Sequence, residues 1–269
     1  MSVIVNNYGE LPMAIRRPLW QWWHKVIIRY DLELNWKFLN YGYQSLNGDP
    51  HLSLLETDET DRYSIQLYDH VVNRAELLDK DVLEVGSGRG GGASYISRYY
   101  DPKSYTALDI SASIIDFCKD YYDVEGLSFK KGVAEDLPFE AESFDTIVNV
   151  ESARVYKSLK TFFSEAYRVL RKDGKFLIAD MIRPKDLNEF KQQLKDCGFR
   201  TLHETEITAN VVESLNRDCE RRQKLIRKRS PGFLVNSFNT FAGIKGTERY
   251  KAFTDGTFEY WSFVLEKVS

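Results

Sequence analysis

Apolar positions along this chain follow two periods. Short continuous apolar runs bounded by turn residues predict strands over 82–85, 105–109, 127–131, 144–149 and 175–180. Between them, apolar residues at helical spacing predict helices over 91–99, 111–122 and 158–171, the second capped by Ser111 and the third ending at the turn Asp173-Gly174. Strand and helix alternate, which predicts a parallel sheet covered by helices on both faces. Beyond Pro184 the pattern predicts a helix over 186–197, a strand near 199–207, a long basic helix over 209–229 and an aromatic strand near 257–266. Upstream, a helix from 58 or 60 to 77 should bury Ile65, Leu67, Tyr68, Val71 and Val72. Earlier still, Arg16–Tyr30 reads as a helix with Trp20, Trp23, Ile27 and Tyr30 along one face, and 31–60 as short helices and a loop.

Composition narrows this picture only at a few points. A chain of 269 residues suits one large domain, or one domain with an added lobe. The net charge of -3 gives no general reason to expect nucleic acid. The basic run Arg217, Arg221, Arg222, Lys224, Arg227, Lys228, Arg229 lacks interleaved aromatics for base stacking, and reads as a solvated helix face that also covers a substrate pocket. Cys118, Cys197 and Cys219 are scattered, as are His24, His51, His70 and His203, so no metal site or disulfide framework is expected. No apolar run reaches the ~18–20 residues of a membrane helix. Met1–Glu10 lacks the plan of a signal peptide. A cytoplasmic protein without integral membrane association is the expectation. The aromatic content of 14% fits a large apolar pocket or a well-filled core alike.

Candidate chemistry centres on Glu84-Val-Gly-Ser-Gly-Arg-Gly-Gly-Gly92, a strand running into a helix through glycines. Glycine permits a tight turn and close approach of a ligand to the main chain, and the helix start adds N–H groups and partial positive charge. Gly86-x-Gly88-x-x-Gly91 fits the dinucleotide pattern; Glu84-x-Gly86-x-Gly88-x-Gly90 fits that of S-adenosyl-L-methionine enzymes. Ligands of an open α/β sheet sit at the carboxyl ends of its strands. Glu84 there suits a ligand ammonium, and Asp109, closing the second strand, suits two ribose hydroxyls. Gly132-Val-Ala-Glu135 follows the third strand, where an adenine would lie. Asn149-Val150-Glu151 follows the fourth, where the reacting end of a cofactor would project.

Taken together, Glu84-Val-Gly-Ser-Gly-Arg-Gly90, Leu108-Asp109, Gly132-Val-Ala-Glu-Asp-Leu-Pro-Phe139, Ser143-Phe-Asp145 and Arg168–Phe176 resemble the motif series of class I S-adenosylmethionine-dependent methyltransferases. Phe38-Leu-Asn-Tyr-Gly-Tyr43, Asp61-Arg62, Leu67-Tyr68, Arg89–Tyr95, Asn149-Val-Glu151 and Gly243–Thr247 are similar to blocks of the phthiotriol/phenolphthiodiolone dimycocerosates methyltransferases and kindred small-molecule O-methyltransferases. The resemblance covers about residues 20–265. It implies an α/β fold, with a doubly wound, mostly parallel seven-stranded sheet, N-terminal helices and a C-terminal insertion forming a substrate lid. One methyltransferase domain, 1–269, would contain an aromatic lid segment at 16–60, a cofactor core at 78–183 and a lid helix region at 208–250. The implied cofactor is S-adenosyl-L-methionine, held by Glu84, Gly86, Ser87, Gly88, Gly90, Asp109, Ile110, Ala134, Glu135, Asn149 and Val150, with Tyr43 and Tyr68 near the methyl path. Glu84 and the backbone of Gly86 and Gly88 would hold the amino-acid end.

Two positions depart from the group. Val133 replaces a usual aspartate, leaving the adenine to the backbone N–H of Ala134 or the side chain of Glu135; Arg154 replaces a frequent histidine. Candidates for catalysis are therefore Glu151, His24 and His51 as bases and Arg154 as a stabiliser of substrate anion. The expected reaction is methyl transfer to a small, largely apolar acceptor, at a hydroxyl oxygen of a natural product or lipid. Carbon or nitrogen methylation, a cofactor-binding protein without methyl transfer, and an NAD-linked oxidoreductase are the alternatives. The expected partner is a small molecule, without nucleic acid, and a homo-oligomer stays open.

Overall fold

The computed structural model describes residues 36–48 and 52–268. The helix expected over Arg16–Tyr30, and both His24 and His51, lie outside the described residues. In chain order the elements are α1 (Arg62–Val72), β1 (Asp81–Val85), α2 (Gly91–Tyr99), β2 (Ser104–Asp109), α3 (Ala112–Tyr121), β3 (Leu127–Lys131) and β4 (Phe144–Val150). There follow α4 (Leu159–Val169), β5 (Leu170–Ile182), α5 (Pro184–Asp196), β6 (Phe199–Glu206), α6 (Thr208–Arg217), α7 (Cys219–Arg229), α8 (Val235–Phe241), α9 (Glu248–Thr254) and β7 (Glu259–Lys267). The chain divides into two compact units. One runs up to Leu67 and resumes over Ile207–Glu259; the other comprises Tyr68–Glu206 and the chain from Tyr260. The expected cofactor core, 78–183, falls in the second unit, and 208–250 in the first.

The strands form one seven-stranded sheet in the order β3-β2-β1-β4-β5-β7-β6. β1 pairs in parallel with β2 and β4, β2 with β3, and β4 with β5; β6 and β7 are antiparallel. Burial follows position. Val82 to Val85 of central β1 and Thr146 to Val150 of β4 are all buried, as parallel strands covered on both faces must be. Edge strands β3 and β6 instead expose charged side chains, among them Lys130, Lys131, Arg200 and Glu204, which discourages pairing with a further strand. Between sheet and helices lies an aromatic core. Phe162 of α4 meets Phe176 of β5 at 5.7 Å between ring centroids, Phe163 meets Phe190 of α5 at 5.3 Å, and Phe190 meets Phe263 of β7 at 5.5 Å. These rings account for part of the aromatic surplus as core packing.

Four local expectations need correction. Helix α4 ends at Val169, and β5 begins at once, but with a bulge: Leu170 pairs with Phe144, and Lys175 with Thr146. Within that bulge Asp173 takes a left-handed φ of 61°. Arg171 reaches Asp81 at 3.0 Å and Asp145 at 2.8 Å. The basic helix expected over 209–229 breaks into α6 and α7 at Asp218, whose buried carboxylate accepts from Arg221 at 2.7 Å and Arg222 at 2.8 Å. Those cations hold its pKa below the usual value despite burial. Helix α1 stops at Val72 rather than running on to 77. Finally, Ser111 stands at the start of α3 without capping through its side chain, and its Oγ lies 3.1 Å from that of Ser113. The predicted buried face of α1 is observed: Ile65, Leu67, Tyr68, Val71 and Val72 are all buried. Among the described residues, no helix is long and apolar enough to cross a membrane.

Candidate active site

The order of strands reverses its direction of growth between β1 and β4, and such a switch point opens a crevice at the carboxyl ends of the strands. The glycine turn after β1 and the loop after β4 both begin there. Gly86, Gly88 and Gly90 have φ of 80°, 52° and 77°, so this backbone favours glycine at all three. Their surroundings differ. A Cβ at Gly86 would meet Ser152 Oγ at 2.4 Å, and one at Gly90 would meet the Tyr122 ring at 2.7 Å. Gly92, already in α2, packs beneath Tyr68, whose ring a Cβ would strike at 2.0 Å. At Gly88 a Cβ would have nothing within 4 Å. Of these turn positions, Gly88 is thus the one whose side faces open space.

Two amide groups expected to serve a ligand are used by the fold. Gly86 N donates to Leu108 O at 2.7 Å, and Gly88 N donates to Asp109 Oδ2 at 3.1 Å. These bonds bind the turn to β2, so the backbone of Gly86 and Gly88 braces the site. Gly90 is the N-cap of α2, whose first N–H groups have no acceptor within the helix.

Glu84 is fully buried at the end of β1. Its carboxylate accepts from Tyr68 OH at 2.8 Å and from Tyr105 OH at 3.1 Å. Burial pushes its pKa up against those two bonds, with Asp109 adding to the rise, and the value reaches about 7. Both tyrosine hydroxyls are in turn pushed up by burial and by the Glu84 charge. Asp109, at the end of β2, accepts from Ser111 N at 2.9 Å as well as from Gly88 N, and burial raises its pKa to about 6. Tyr105 was not anticipated. It is the second residue of β2, 21 residues from Glu84, and only the register Glu84↔Ala107 brings the two together.

The loop after β4 is knit onto the same turn. Asn149 is fully buried, and its Nδ2 lies 2.8 Å from Val85 O, 2.8 Å from Ser152 Oγ and 2.9 Å from Tyr156 OH. Ser152 Oγ and Tyr156 OH also approach Val85 O, at 3.1 and 3.2 Å. Glycine at 86 is what lets Ser152 sit so close. Asn149 Oδ1 and Ser87 Oγ are buried without a hydrogen-bond partner among the described residues.

Glu151 follows with a left-handed φ of 54°, uncommon for a residue with a side chain and found often at functional sites. It is buried, and its Oε1 accepts from Tyr260 OH at 3.0 Å. Burial and the Glu151 charge push the Tyr260 hydroxyl well up. Arg154 lies one turn on. Its guanidinium donates to Asp180 Oδ1 at 3.0 Å and to Glu151 O at 2.8 Å, and stands 3.8 Å from Glu151 Oε2. Asp180 also accepts from Arg154 N at 3.1 Å, so Arg154 is anchored on a buried carboxylate that sequence reasoning missed.

The remaining expected residues are spread more widely. Ile110 is half-buried beside Asp109, and Val150 is buried at the end of β4. Ala134 is buried, whereas the Glu135 carboxylate accepts from Lys157 N. Tyr43 belongs to the other compact unit, where its N donates to Tyr63 O at 2.9 Å. Among the described residues no cluster of His, Cys, Asp and Glu has the makings of a metal site.

Residues 83–178 match the family model described as a methyltransferase domain. The chain is 36% identical over 232 residues to the fatty-acid O-methyltransferase of Mycolicibacterium smegmatis, covering 86% of this chain and 83% of that one. It is 34% identical over 251 residues to the phthiotriol/phenolphthiotriol dimycocerosates methyltransferase of Mycobacterium tuberculosis, covering 93% and 92%. Among solved structures, the geranyl diphosphate C-methyltransferase of Streptomyces coelicolor A3(2) matches with a TM-score of 0.66 over 90% of this chain and 92% of that one. At 16% identity this likeness speaks for the fold alone.

Proposed function

Since this chain belongs to the class I S-adenosyl-L-methionine-dependent methyltransferases, in the group of the phthiotriol/phenolphthiotriol dimycocerosates methyltransferases, we propose that it methylates an oxygen of a small, lipid-like acceptor. The enzyme uses S-adenosyl-L-methionine as its methyl donor. The oxygen and the acceptor class are supported by relatives named for a fatty acid and for phthiotriol dimycocerosates.

The residues present suit the cofactor. Open space beside Gly88, and the buried Ser87 Oγ and Asn149 Oδ1 without partners among the described residues, are features of a cradle for a polar ligand. When bound, S-adenosyl-L-methionine supplies an electrophilic methyl on a sulfonium. Glu84 would take its ammonium, the two tyrosine hydroxyls leaving further lone pairs on the carboxylate. Asp109 would accept from the ribose hydroxyls, and Ile110 and Val150 would flank it. With Val133 in place of an acid and Glu135 turned to Lys157 N, adenine contacts fall to the backbone around Ala134. Tyr68 serves as a brace, packed on Gly92 and bonded to Glu84.

Glu151 is the observation that carries the catalytic reading: a buried carboxylate on left-handed backbone, directly after β4 and beside the anchored Arg154. It would receive the proton of an acceptor hydroxyl, a contribution of about 10²–10⁴-fold. Arg154, held on Asp180, would fix the place of Glu151. An acceptor that is already a carboxylate needs no such base. Labelled S-adenosyl-L-methionine offered with long-chain alcohols, phenols and fatty acids tests the proposal. Label in a methyl ether or ester supports it; label found only on carbon or nitrogen would refute the oxygen assignment.

A further inference from the structure

Helix α7 concentrates positive charge in a chain that is acidic overall. Its eleven residues hold six basic side chains and one acid, Glu220, whereas the whole chain has a net charge of -3. Two of the six serve the interior of their own unit. Arg221 and Arg222 bind Asp218, and Arg222 also donates to Tyr41 O at 3.1 Å and Asn40 O at 3.2 Å. Lys224, Arg227 and Lys228 do none of this. They are exposed, lie at i, i+3 and i+4 on one face, and form no ion pair with a described residue.

An apolar group stands close by. After α7 the chain turns at Pro231 and Gly232, and Phe233 is 75% exposed, the most exposed large hydrophobic residue among those described. Its neighbour Leu234 is buried at 3% in a small core with Ile226 of α7, Trp36, Phe238 and Ile244. Ile226 and Leu234 thus pin the inner faces of helix and turn to one cluster. Phe233 is five residues beyond Lys228, hence within about 18 Å of it along the chain's reach.

We propose that Lys224, Arg227, Lys228 and Phe233 form a docking surface for an anionic lipid bilayer. The inference rests on the reading that the acceptor is lipid-like, since such an acceptor would be met at a membrane surface. Cations attract the acidic leaflet, and an aromatic ring enters the headgroup boundary. Each cation near an anionic surface strengthens binding about fivefold. A single-stranded nucleic acid would use several successive stacking rings, and this face offers one.

Sedimentation with sucrose-loaded phosphatidylcholine vesicles, with or without phosphatidylglycerol, tests the proposal on the full chain. Binding is expected only with phosphatidylglycerol, and should weaken as salt shortens the Debye length. Lys224→Gln, Arg227→Gln and Lys228→Gln together should weaken it about a hundredfold, and Phe233→Ser should weaken it without changing its salt dependence. These residues are exposed, so the variants should keep the parent thermal midpoint. Equal binding to neutral vesicles, undiminished binding by the triple variant, or tighter binding to polyuridylate than to anionic vesicles would overturn the proposal. The vesicles contain no acceptor and the labelled-methyl assay uses detergent-dispersed acceptors, so the failure of either is read separately.

Discussion

Replacing Glu84 by glutamine separates what its charge does for the ligand from what its burial does to the fold. In the ligand-free protein its carboxyl is raised from 4.5 to about 7, chiefly by burial. A shift of that size corresponds to about 3 kcal/mol of unfavourable ionisation relative to the unfolded chain. Because the folded value is the higher one, the carboxyl's favourable contribution is complete below the unfolded pKa and is lost as pH rises through about 7. Glu84→Gln should therefore flatten the stability profile of the free protein between about pH 4.5 and 7 and raise its relative stability at pH 8. Ligand binding runs the other way. An ammonium favours the ionised carboxylate, so wild-type affinity for S-adenosyl-L-homocysteine should fall as pH drops, by about eightfold from pH 7.5 to 6 for one proton at the value above. Loss of a charge-assisted bond should cost Glu84→Gln about 10–100-fold in affinity at pH 7.5. Its affinity should then stay level until the Asp109 carboxyl, raised to about 6, begins to protonate. Titration calorimetry across this range, with thermal unfolding of the free protein alongside, measures both. Wild-type affinity independent of pH, or the same slope in the variant, would refute the assignment of Glu84 to the ammonium.

Three further outcomes follow from the geometry. Gly88→Ala has room for its methyl but must hold a φ of 52°, so it should fold with a midpoint lower by a few degrees and bind S-adenosyl-L-homocysteine poorly, whereas Gly92→Ala, driven into Tyr68 at 2.0 Å, should fail to fold stably; circular dichroism and calorimetry distinguish them. Glu151→Gln should lower kcat about 10²–10⁴-fold on hydroxyl acceptors while sparing fatty acids, as read by labelled-methyl transfer to each. Asn149→Ala removes one of three donors to buried Val85 O, Ser152 Oγ and Tyr156 OH remaining, and should cost about 0.5–1.5 kcal/mol in denaturant unfolding.

What the sequence revealed of this protein, and what it hid, divides by distance along the chain. The glycine turn and the start of α2 are written in adjacent residues, and the structure places α2 at Gly91–Tyr99 as expected. The buried face of α1 was legible because its period is local. Asp218 looked like any polar residue within a helix, since its helix-breaking role depends on its burial and on two arginines beside it. The partners of the site carboxylates were hidden for the same reason. Tyr260 reaches Glu151 across 109 residues, and Asp180 reaches Arg154 across 26, through pairings only the assembled sheet creates. Likewise, that the Gly86 and Gly88 amides are taken by β2 follows from strand register, which no motif encodes.

The role proposed for this glycine turn and the loop after β4 is methyl transfer to an oxygen. Its most direct test is the fate of labelled methyl from S-adenosyl-L-methionine offered with long-chain alcohols, phenols and fatty acids. Label is expected in an ether or ester, with one S-adenosyl-L-homocysteine formed for each methyl transferred. Tight S-adenosyl-L-homocysteine binding with no label in any acceptor would contradict it.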